Sequence, residues 1–178
     1  MAEADLKDIE LLVLDVDGVL TDGRITYNDR GEEIKSFHVR DGSGMKYWKR
    51  CGRKLAIVTG RSSPAVTRRA EELGVDAVRM NARNKLAALA EVLDELGVSP
   101  DRTAVIGDDL TDLPMLRRCA FAVAVADAAA EVRDAADYVT DLPGGAGAVR
   151  ETIEHILKAA GDWQAVLARY MNEDKQTQ

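Results

Sequence analysis

Six short apolar runs of the kind that form buried strands recur along the chain, and they constrain its fold more than any other feature. They occupy residues 11–16, 54–59, 76–80, 103–108, 121–126 and 137–140. Helical patterns alternate with them. Ser63, Pro64 and Gly74 have the order of an N-cap, a first helical residue and a helix stop, and residues 84–97 carry apolar positions at helical spacing. Apolar strands that alternate with helices predict a parallel sheet covered on both faces.

Two segments depart from this alternation. Residues 24–39 contain two strand-like stretches joined at "NDRG", which predicts a β-hairpin flap with its turn at Gly31. Residues 161–178 begin as a helix and end in polar residues. No linker or repeat divides the sequence. We therefore expect one domain over residues 1–178: an α/β fold with a Rossmann-like parallel sheet, helices on both faces and a β-hairpin insertion.

Polar groups follow several of the predicted strands directly. Asp15 and Asp17 stand one residue apart at the end of the first apolar run. Ligands bind beyond the carboxyl ends of parallel strands, so the groups that follow the other strands should meet this pair at one edge of the sheet. These groups are Thr59, Gly60, Arg61, Lys85, Asp108, Asp109 and Asp112. Clustered carboxylates need a compensating cation, and oxygen ligands without histidine or cysteine favour Mg²⁺. With a threonine and a lysine they suit a phosphoryl group, and a carboxylate can be its nucleophile.

Each of these signals has a structural alternative when it stands alone. The aspartate pair could form an ordinary turn. Asp109 and Asp112 could be acids that a helix N-terminus favours, and Lys85 could be a solvated helix lysine. The roles of three further polar residues stay open: His38, Arg40 and Lys46.

Four motifs resemble, in order, those of the haloacid dehalogenase superfamily of phosphatases: "DVDGVLTDG", "VTGR", the lysine at position 85 and "GDDLTD". The stretches "FHVRDGSGMK" (37–46), "GDDLTDLPML" and "GGAGAVRE" (144–151) further resemble the members that act on 3-deoxy-D-manno-octulosonate 8-phosphate (Kdo 8-phosphate). That group has no large cap domain. The spacing here agrees, because only 25 residues lie between Thr59 and Lys85.

The resemblance implies a role for each candidate residue. Asp15 is implied as the nucleophile, and Asp17 as the general acid and base whose backbone carbonyl also faces the metal. The implied catalytic set is Asp15, Asp17, Thr59 and Lys85. The implied substrate-binding residues are Gly18, Thr59, Gly60, Arg61 and Lys85. The implied Mg²⁺ ligands are Asp15, Asp17 and Asp108, with Asp109 and Asp112 orienting metal-bound water or Lys85.

Composition narrows the range of partners. The 178 residues carry a formal net charge of −7 and only 4% aromatic residues, which argues against nucleic acid or an anionic membrane as a partner. No apolar run approaches the roughly 18 residues that a membrane span needs. The two cysteines, Cys51 and Cys119, lie far apart and suit reduced thiols, so we expect a cytoplasmic protein. The resemblance implies a homotetramer acting on a small-molecule sugar phosphate.

The expected reaction is therefore the Mg²⁺-dependent hydrolysis of Kdo 8-phosphate to Kdo and phosphate through an aspartyl phosphate, in lipopolysaccharide precursor synthesis. A phosphatase for a nine-carbon, sialic-type sugar 9-phosphate is the near alternative, because the catalytic motifs address only the phosphate. A signalling receiver domain also uses acids, threonine and lysine around Mg²⁺, but its acid pair comes first in the chain, whereas "GDDLTD" comes last here. A catalytically dead scaffold would not require the complete set of motifs.

Overall fold

A six-stranded parallel sheet is the centre of the fold. The computed structural model describes residues 6–172. Its strands are β1 (Leu11–Leu14), β2 (Thr26–Tyr27), β3 (Glu33–Ile34), β4 (Lys54–Val58), β5 (Ala77–Arg79), β6 (Thr103–Gly107), β7 (Phe121–Ala124) and β8 (Tyr138–Val139). The sheet has the order β5-β4-β1-β6-β7-β8, and β2 pairs antiparallel with β3 as a separate hairpin. Each of the six predicted apolar runs contains one strand of this sheet, so the predicted fold class is confirmed.

Helices cover the sheet. They are α1 (Val39–Arg50), α2 (Pro64–Leu73), α3 (Lys85–Leu96), α4 (Leu113–Leu116), α5 (Ala130–Ala135), α6 (Ala148–Ala159) and α7 (Trp163–Asn172). Every residue of β1 is buried between its neighbours β4 and β6, and α1 packs against α6. Burial on both faces is the reason that these strands are apolar throughout rather than alternating. The predicted ends of α2 and α3 are confirmed: Gly74 and Gly97 stop them with φ of 67° and 62°.

The hairpin is shorter than predicted. Its strands end at Ile34, and Val39, placed in the hairpin by the prediction for residues 24–39, is the first residue of α1. The sequence pattern gave no sign of α1, because Gly42 and Gly44 weaken a helix by roughly 1 kcal/mol each relative to alanine. Close packing favours glycine most clearly at position 44, where a Cβ would lie 2.9 Å from Arg150 Cδ and 3.2 Å from Arg150 Cα. A Cβ on Gly42 would lie 2.2 Å from Arg69 Nη2, the end of a flexible side chain.

The C-terminal helix α7 is held against α1 by aromatic and cationic side chains. The ring of Tyr47 makes edge contacts with Trp163 and Tyr170 at centroid distances of 6.1 and 5.8 Å. The Arg150 guanidinium lies 4.6 Å from the centre of the Tyr47 ring, and Arg50 donates a 2.6 Å hydrogen bond to the Tyr170 hydroxyl. Residues 173–178 of the predicted tail lie outside the described residues. Within residues 6–172, every helix is too short or too polar to cross a bilayer.

Candidate active site

The predicted site residues meet in one cleft. It has a volume of about 400 Å³ and lies where β1, β4 and β6 end. Its lining includes Asp15, Asp17, Thr59, Arg61, Lys85 and Asp108. Thr59 follows β4 directly and is 2% exposed, whereas Gly60 and Asp109 lie at the exposed rim. The parallel topology thus brings the ends of three strands, far apart in sequence, to one edge.

Three carboxylates crowd together in the floor of this cleft. Single oxygens of Asp15, Asp108 and Asp112 all lie within 4.8 Å of one another. Asp15 and Asp112 are buried, at 6% and 0% exposure. Lys85 lies between these two, with its Nζ 2.8 Å from Asp15 Oδ2 and 2.6 Å from Asp112 Oδ1. One lysine therefore offsets only part of the negative charge.

The excess of negative charge contributes to the raised pKa values of two of these carboxyl groups. Burial, followed by repulsion from Asp112, raises the pKa of Asp15 to about 6. The same causes, in the same order, raise the pKa of Asp108 to about 7. Asp15 Oδ1 and Asp108 Oδ1 are buried and have no hydrogen-bond partner. Two free, buried carboxylate oxygens beside an excess of negative charge fit a hard divalent cation such as Mg²⁺.

Lys85 stays charged despite its burial. Burial alone would lower the pKa of this lysine, but the carboxylates of Asp15 and Asp112 outweigh it and raise the pKa above the ordinary value. The residue begins α3, whose N-cap Asn84 accepts a 3.1 Å hydrogen bond from the Ala87 N–H. Its ammonium is thus held at a helix start that faces the cleft.

The "GDDLTD" turn shapes the other side of the cleft. Asp112 Oδ2 accepts hydrogen bonds from the backbone N–H groups of Asp108 and Asp109, at 3.0 and 3.3 Å. Asp109 and Asp112 also cap each other reciprocally at the start of this turn. Both Asp112 oxygens are therefore occupied by the turn and by Lys85. Asp112 anchors the turn and the lysine.

Gly18 is required by the packing of its own loop, apart from the substrate contact that the family resemblance implies. Its φ is +87°, and a Cβ there would lie 2.1 Å from Asp108 Oδ2. Residues 143–147 include the two glycines that begin the motif "GGAGAVRE" (144–151), and they pack against the same loop. A Cβ on Gly144 would lie 1.6 Å from the Gly18 carbonyl oxygen, and Gly145 N–H donates a 2.9 Å hydrogen bond to Val19 O. The first residues of the 144–151 motif thus support the loop that follows Asp15.

The motif at residues 37–46 connects to this same support. Asp41 is 1% exposed, and its Oδ1 accepts a 2.7 Å hydrogen bond from the Arg150 N–H at the start of α6. Burial raises the pKa of Asp41. His38 Nδ1 lies 3.9 Å from Asp41 Oδ2. Two of the three residues with open roles, Arg40 and Lys46, are exposed on α1 and do not line the cleft.

The prediction missed several residues at the site: Arg83 and Thr111 line the cleft, and Lys35 contacts its wall through Asp17. Lys35, from the strand end of the hairpin, pairs its Nζ with Asp17 Oδ1. Asp17 Oδ2 lies 3.5 Å from Arg61 Nε, so the Asp17 carboxylate faces two cations and lies outside the group of three carboxylates. Strand periodicity could have indicated Lys35, because Glu33 and Lys35 share one face while Ile34 points outward.

Comparison with known proteins agrees with this geometry. Residues 78–151 match the model of the haloacid dehalogenase-like hydrolase family. The KdsC 3-deoxy-D-manno-octulosonate 8-phosphate phosphatase of Escherichia coli is 44% identical over 158 residues, 89% of this chain and 84% of the relative. The chain therefore belongs to the haloacid dehalogenase-like hydrolases. Within them, it falls with the 3-deoxy-D-manno-octulosonate 8-phosphate phosphatases.

Two crystal structures resemble the whole domain. One is the Kdo 8-phosphate phosphatase of Moraxella catarrhalis in complex with magnesium, phosphate and Kdo. It has a TM-score of 0.91 and 44% identity, covering 93% of this chain and 95% of the other. The second is the cobalt-bound enzyme of Haemophilus influenzae, with a TM-score of 0.85 and 43% identity, covering 88% and 92% of the two chains. No large cap domain interrupts the described residues, as the spacing predicted.

Proposed function

We propose that this chain hydrolyses Kdo 8-phosphate to Kdo and inorganic phosphate through an aspartyl phosphate on Asp15. One observation carries the proposal: the nucleophile, a buried lysine and the carboxylate cluster share one cleft in a chain that is 44% identical to a phosphatase crystallised with magnesium, phosphate and Kdo. The reaction belongs to lipopolysaccharide precursor synthesis.

The first chemical step is transfer of the phosphoryl group to Asp15. A carboxylate oxygen of Asp15 forms a bond to phosphorus while the bond from phosphorus to the sugar oxygen breaks. Asp17 donates a proton to that oxygen, because a sugar alkoxide is a poor leaving group. Lys85, 2.8 Å from Asp15 Oδ2, orients the nucleophile and with Thr59 holds the phosphate oxygens.

The second step regenerates the carboxylate. A water oxygen forms a bond to phosphorus, Asp17 accepts the proton that the water loses, and the bond from phosphorus to Asp15 breaks. Inorganic phosphate leaves. Asp17 thereby returns to its protonated form, so one residue serves as acid and then as base.

The metal ligands are carboxylate oxygens of Asp15 and Asp108 with the backbone carbonyl of Asp17. When bound, Mg²⁺ supplies positive charge that offsets the charge on the phosphate and the carboxylates. The two buried oxygens without hydrogen-bond partners support the assignment of Asp15 and Asp108.

The sugar end of the substrate lies toward the rim. Arg61 stands there with a 44% exposed side chain, bound to Glu33 through a 2.6 Å contact, and can exchange that carboxylate for the one on the sugar acid. Gly60 and Gly18 complete the backbone around the phosphate. The curated relatives support the eight-carbon substrate over a nine-carbon one, since they are named for Kdo 8-phosphate.

The protein acts in the cytoplasm as a homotetramer. The hairpin supports the assembly, because it exposes apolar side chains on both of its faces: Ile25, Tyr27 and Ile34 are 52%, 60% and 48% exposed. A hairpin of this kind is a surface that a second copy can cover. Cys51 and Cys119 are free thiols, as suits a reducing compartment.

A screen of sugar phosphates tests the substrate directly. We expect the highest kcat/KM, measured by released phosphate with Mg²⁺ present, for Kdo 8-phosphate. A higher value for a nine-carbon sugar 9-phosphate would overturn the assignment of the substrate. Phosphate release limited to one equivalent per chain would instead indicate a signalling domain.

A further inference from the structure

The carboxylate of Asp17 is oriented from outside the catalytic strands. The two buried acids of the cleft, Asp15 and Asp112, are held by Lys85, and Asp112 is held also by the "GDDLTD" turn. Asp17 has neither contact. Its Oδ1 pairs with Lys35 of the hairpin, and its Oδ2 lies 3.5 Å from Arg61 Nε. Of these two partners, Lys35 makes the direct hydrogen bond.

Lys35 is itself fixed in place. Its side chain is only 2% exposed, which is rare for a lysine and is costly unless the ammonium is paired. Glu33, two residues earlier on the same face of the hairpin, lies 3.6 Å from the Lys35 Nζ and 2.6 Å from Arg61 Nη2. Lys35, Asp17, Arg61 and Glu33 thus form a closed ring of alternating charge that ties the hairpin to the cleft.

The burial of Lys35 limits which groups its ammonium can contact. The Lys35 side chain is 2% exposed and does not line the cleft, so its ammonium contacts Asp17 and not the space that a phosphate or a sugar carboxylate would fill. Arg61, with a 44% exposed side chain, is free to exchange its partner. Lys35 therefore acts on the reaction only through the side chain that it holds, which is Asp17.

We propose that Lys35 is a positioning residue that fixes the Asp17 carboxylate for proton transfer, so that the seated hairpin completes the acid–base step. The inference rests on the proposed role of Asp17. Misplacement of a reacting group by about 1 Å can cost about 10²-fold in rate. When Lys35 is lost, Asp17 keeps only the longer, 3.5 Å contact with the partly exposed Arg61.

The leaving group distinguishes positioning from a general structural role. A sugar phosphate needs a proton on its leaving oxygen, whereas nitrophenyl phosphate needs little help. We expect Lys35→Met to lower the rate of phosphoenzyme formation at least about tenfold more for Kdo 8-phosphate than for nitrophenyl phosphate, within the 10²–10⁴-fold range of acid–base help. Lys35→Arg, which keeps a cation, should recover part of the rate that Lys35→Met loses with Kdo 8-phosphate. The exposed Lys46→Met is the matched control and should leave both rates unchanged.

A double variant tests the coupling. If Lys35 acts through Asp17, then the double variant with Lys35→Met and Asp17→Asn should form the phosphoenzyme from Kdo 8-phosphate no more slowly than Asp17→Asn alone. Equal losses on both substrates, or losses that multiply in the double variant, would overturn the proposal. If Lys35→Met does not fold by its thermal transition, Lys35→Ala, which also leaves Asp17 without this donor, takes its place under the same criteria.

Failure of the proposed function has a different signature. If Kdo 8-phosphate is not the preferred substrate, the comparison is made with the best alkyl phosphate from the screen, and the ratio to nitrophenyl phosphate keeps its meaning. If Asp17→Asn alone fails to discriminate between leaving groups, the acid role of Asp17 is wrong. If Asp17→Asn discriminates and Lys35→Met does not, only the role of Lys35 is wrong.

Discussion

Lys85 Nζ lies 2.8 Å from Asp15 Oδ2 while the same ammonium binds Asp112, so one buried cation serves two buried carboxylates. Removal of one partner from a buried ion pair typically costs about 3–5 kcal/mol, because the other charge is left uncompensated. This relationship explains why a lysine is retained in the floor of the cleft.

Lys85→Met should therefore be inactive and destabilised at neutral pH. The loss of stability should be smaller at pH 5, because the raised pKa of Asp15 lets that carboxyl group protonate. Thermal unfolding at pH 5 and 7.5, with Lys46→Met as the control, measures the difference. A Lys85→Met protein with wild-type stability at both pH values would contradict the burial of this pair.

The metal-free protein should lose stability as the pH rises from about 4 to about 7. Asp15 and Asp108 have folded-state pKa values of about 6 and about 7, above the unfolded value near 4. In that range the folded state binds more protons than the unfolded state, so the free energy of unfolding falls with increasing pH.

Mg²⁺ should reverse this loss, because it binds the ionised carboxylates. Its effect on the melting temperature should be larger at pH 8 than at pH 5.5, and chelation should abolish turnover. Asp108→Ala should weaken Mg²⁺ binding severely, so the shift in melting temperature and the dependence of turnover on Mg²⁺ should both be much reduced. Unchanged Mg²⁺ dependence in Asp108→Ala would move the ligand assignment to another carboxylate, such as Asp109.

Gly144→Ala should slow turnover through its effect on the catalytic loop, since residue 144 itself does not line the cleft. The new Cβ would collide with the Gly18 carbonyl, which lies 1.6 Å from the ideal position, and would displace the loop that follows Asp15. Gly161→Ala is the control: its φ of +82° adds backbone strain that Gly144 does not have, but a Cβ there meets open space and collides with nothing. We expect kcat to fall in Gly144→Ala and stability alone to fall in Gly161→Ala. Equal kcat values in the two variants would show that the 143–147 segment does not support the catalytic loop.

The assembly prediction concerns the exposed hairpin and the C-terminal tail. Ile34→Glu places a charge on the outward face of the hairpin, opposite to Glu33 and Lys35, and should dissociate the tetramer in analytical ultracentrifugation, with loss of activity. Truncation after Tyr170 keeps the contacts of that ring with Tyr47 and Arg50, so it should preserve the fold while impairing turnover or substrate affinity. A fully active monomer would contradict the proposal that the protein acts as a homotetramer.

The sequence was sufficient for the sheet and for the residues of the cleft. Continuous apolar strands and the polar groups that follow them depend on local patterns, and the parallel topology gathers the strand ends at one edge. The same reasoning could not find α1, because Gly42 and Gly44 oppose the helix locally and the packing of α1 against Arg150, which favours Gly44, is known only from the structure. It also missed Lys35, since a lysine in a short polar hairpin looks exposed until its pairing with Asp17 is known.

Trapping of the intermediate tests the central claim, that phosphoryl transfer passes through Asp15 with Asp17 as acid and base. Asp17→Asn keeps the backbone carbonyl for the metal but removes the base for the second step. With nitrophenyl phosphate and Mg²⁺, we predict a burst of nitrophenolate, slow turnover thereafter, and one phosphoryl group on Asp15 in the mass spectrum of the acid-quenched protein. No burst, or a phosphoryl group on any other residue, would contradict the account.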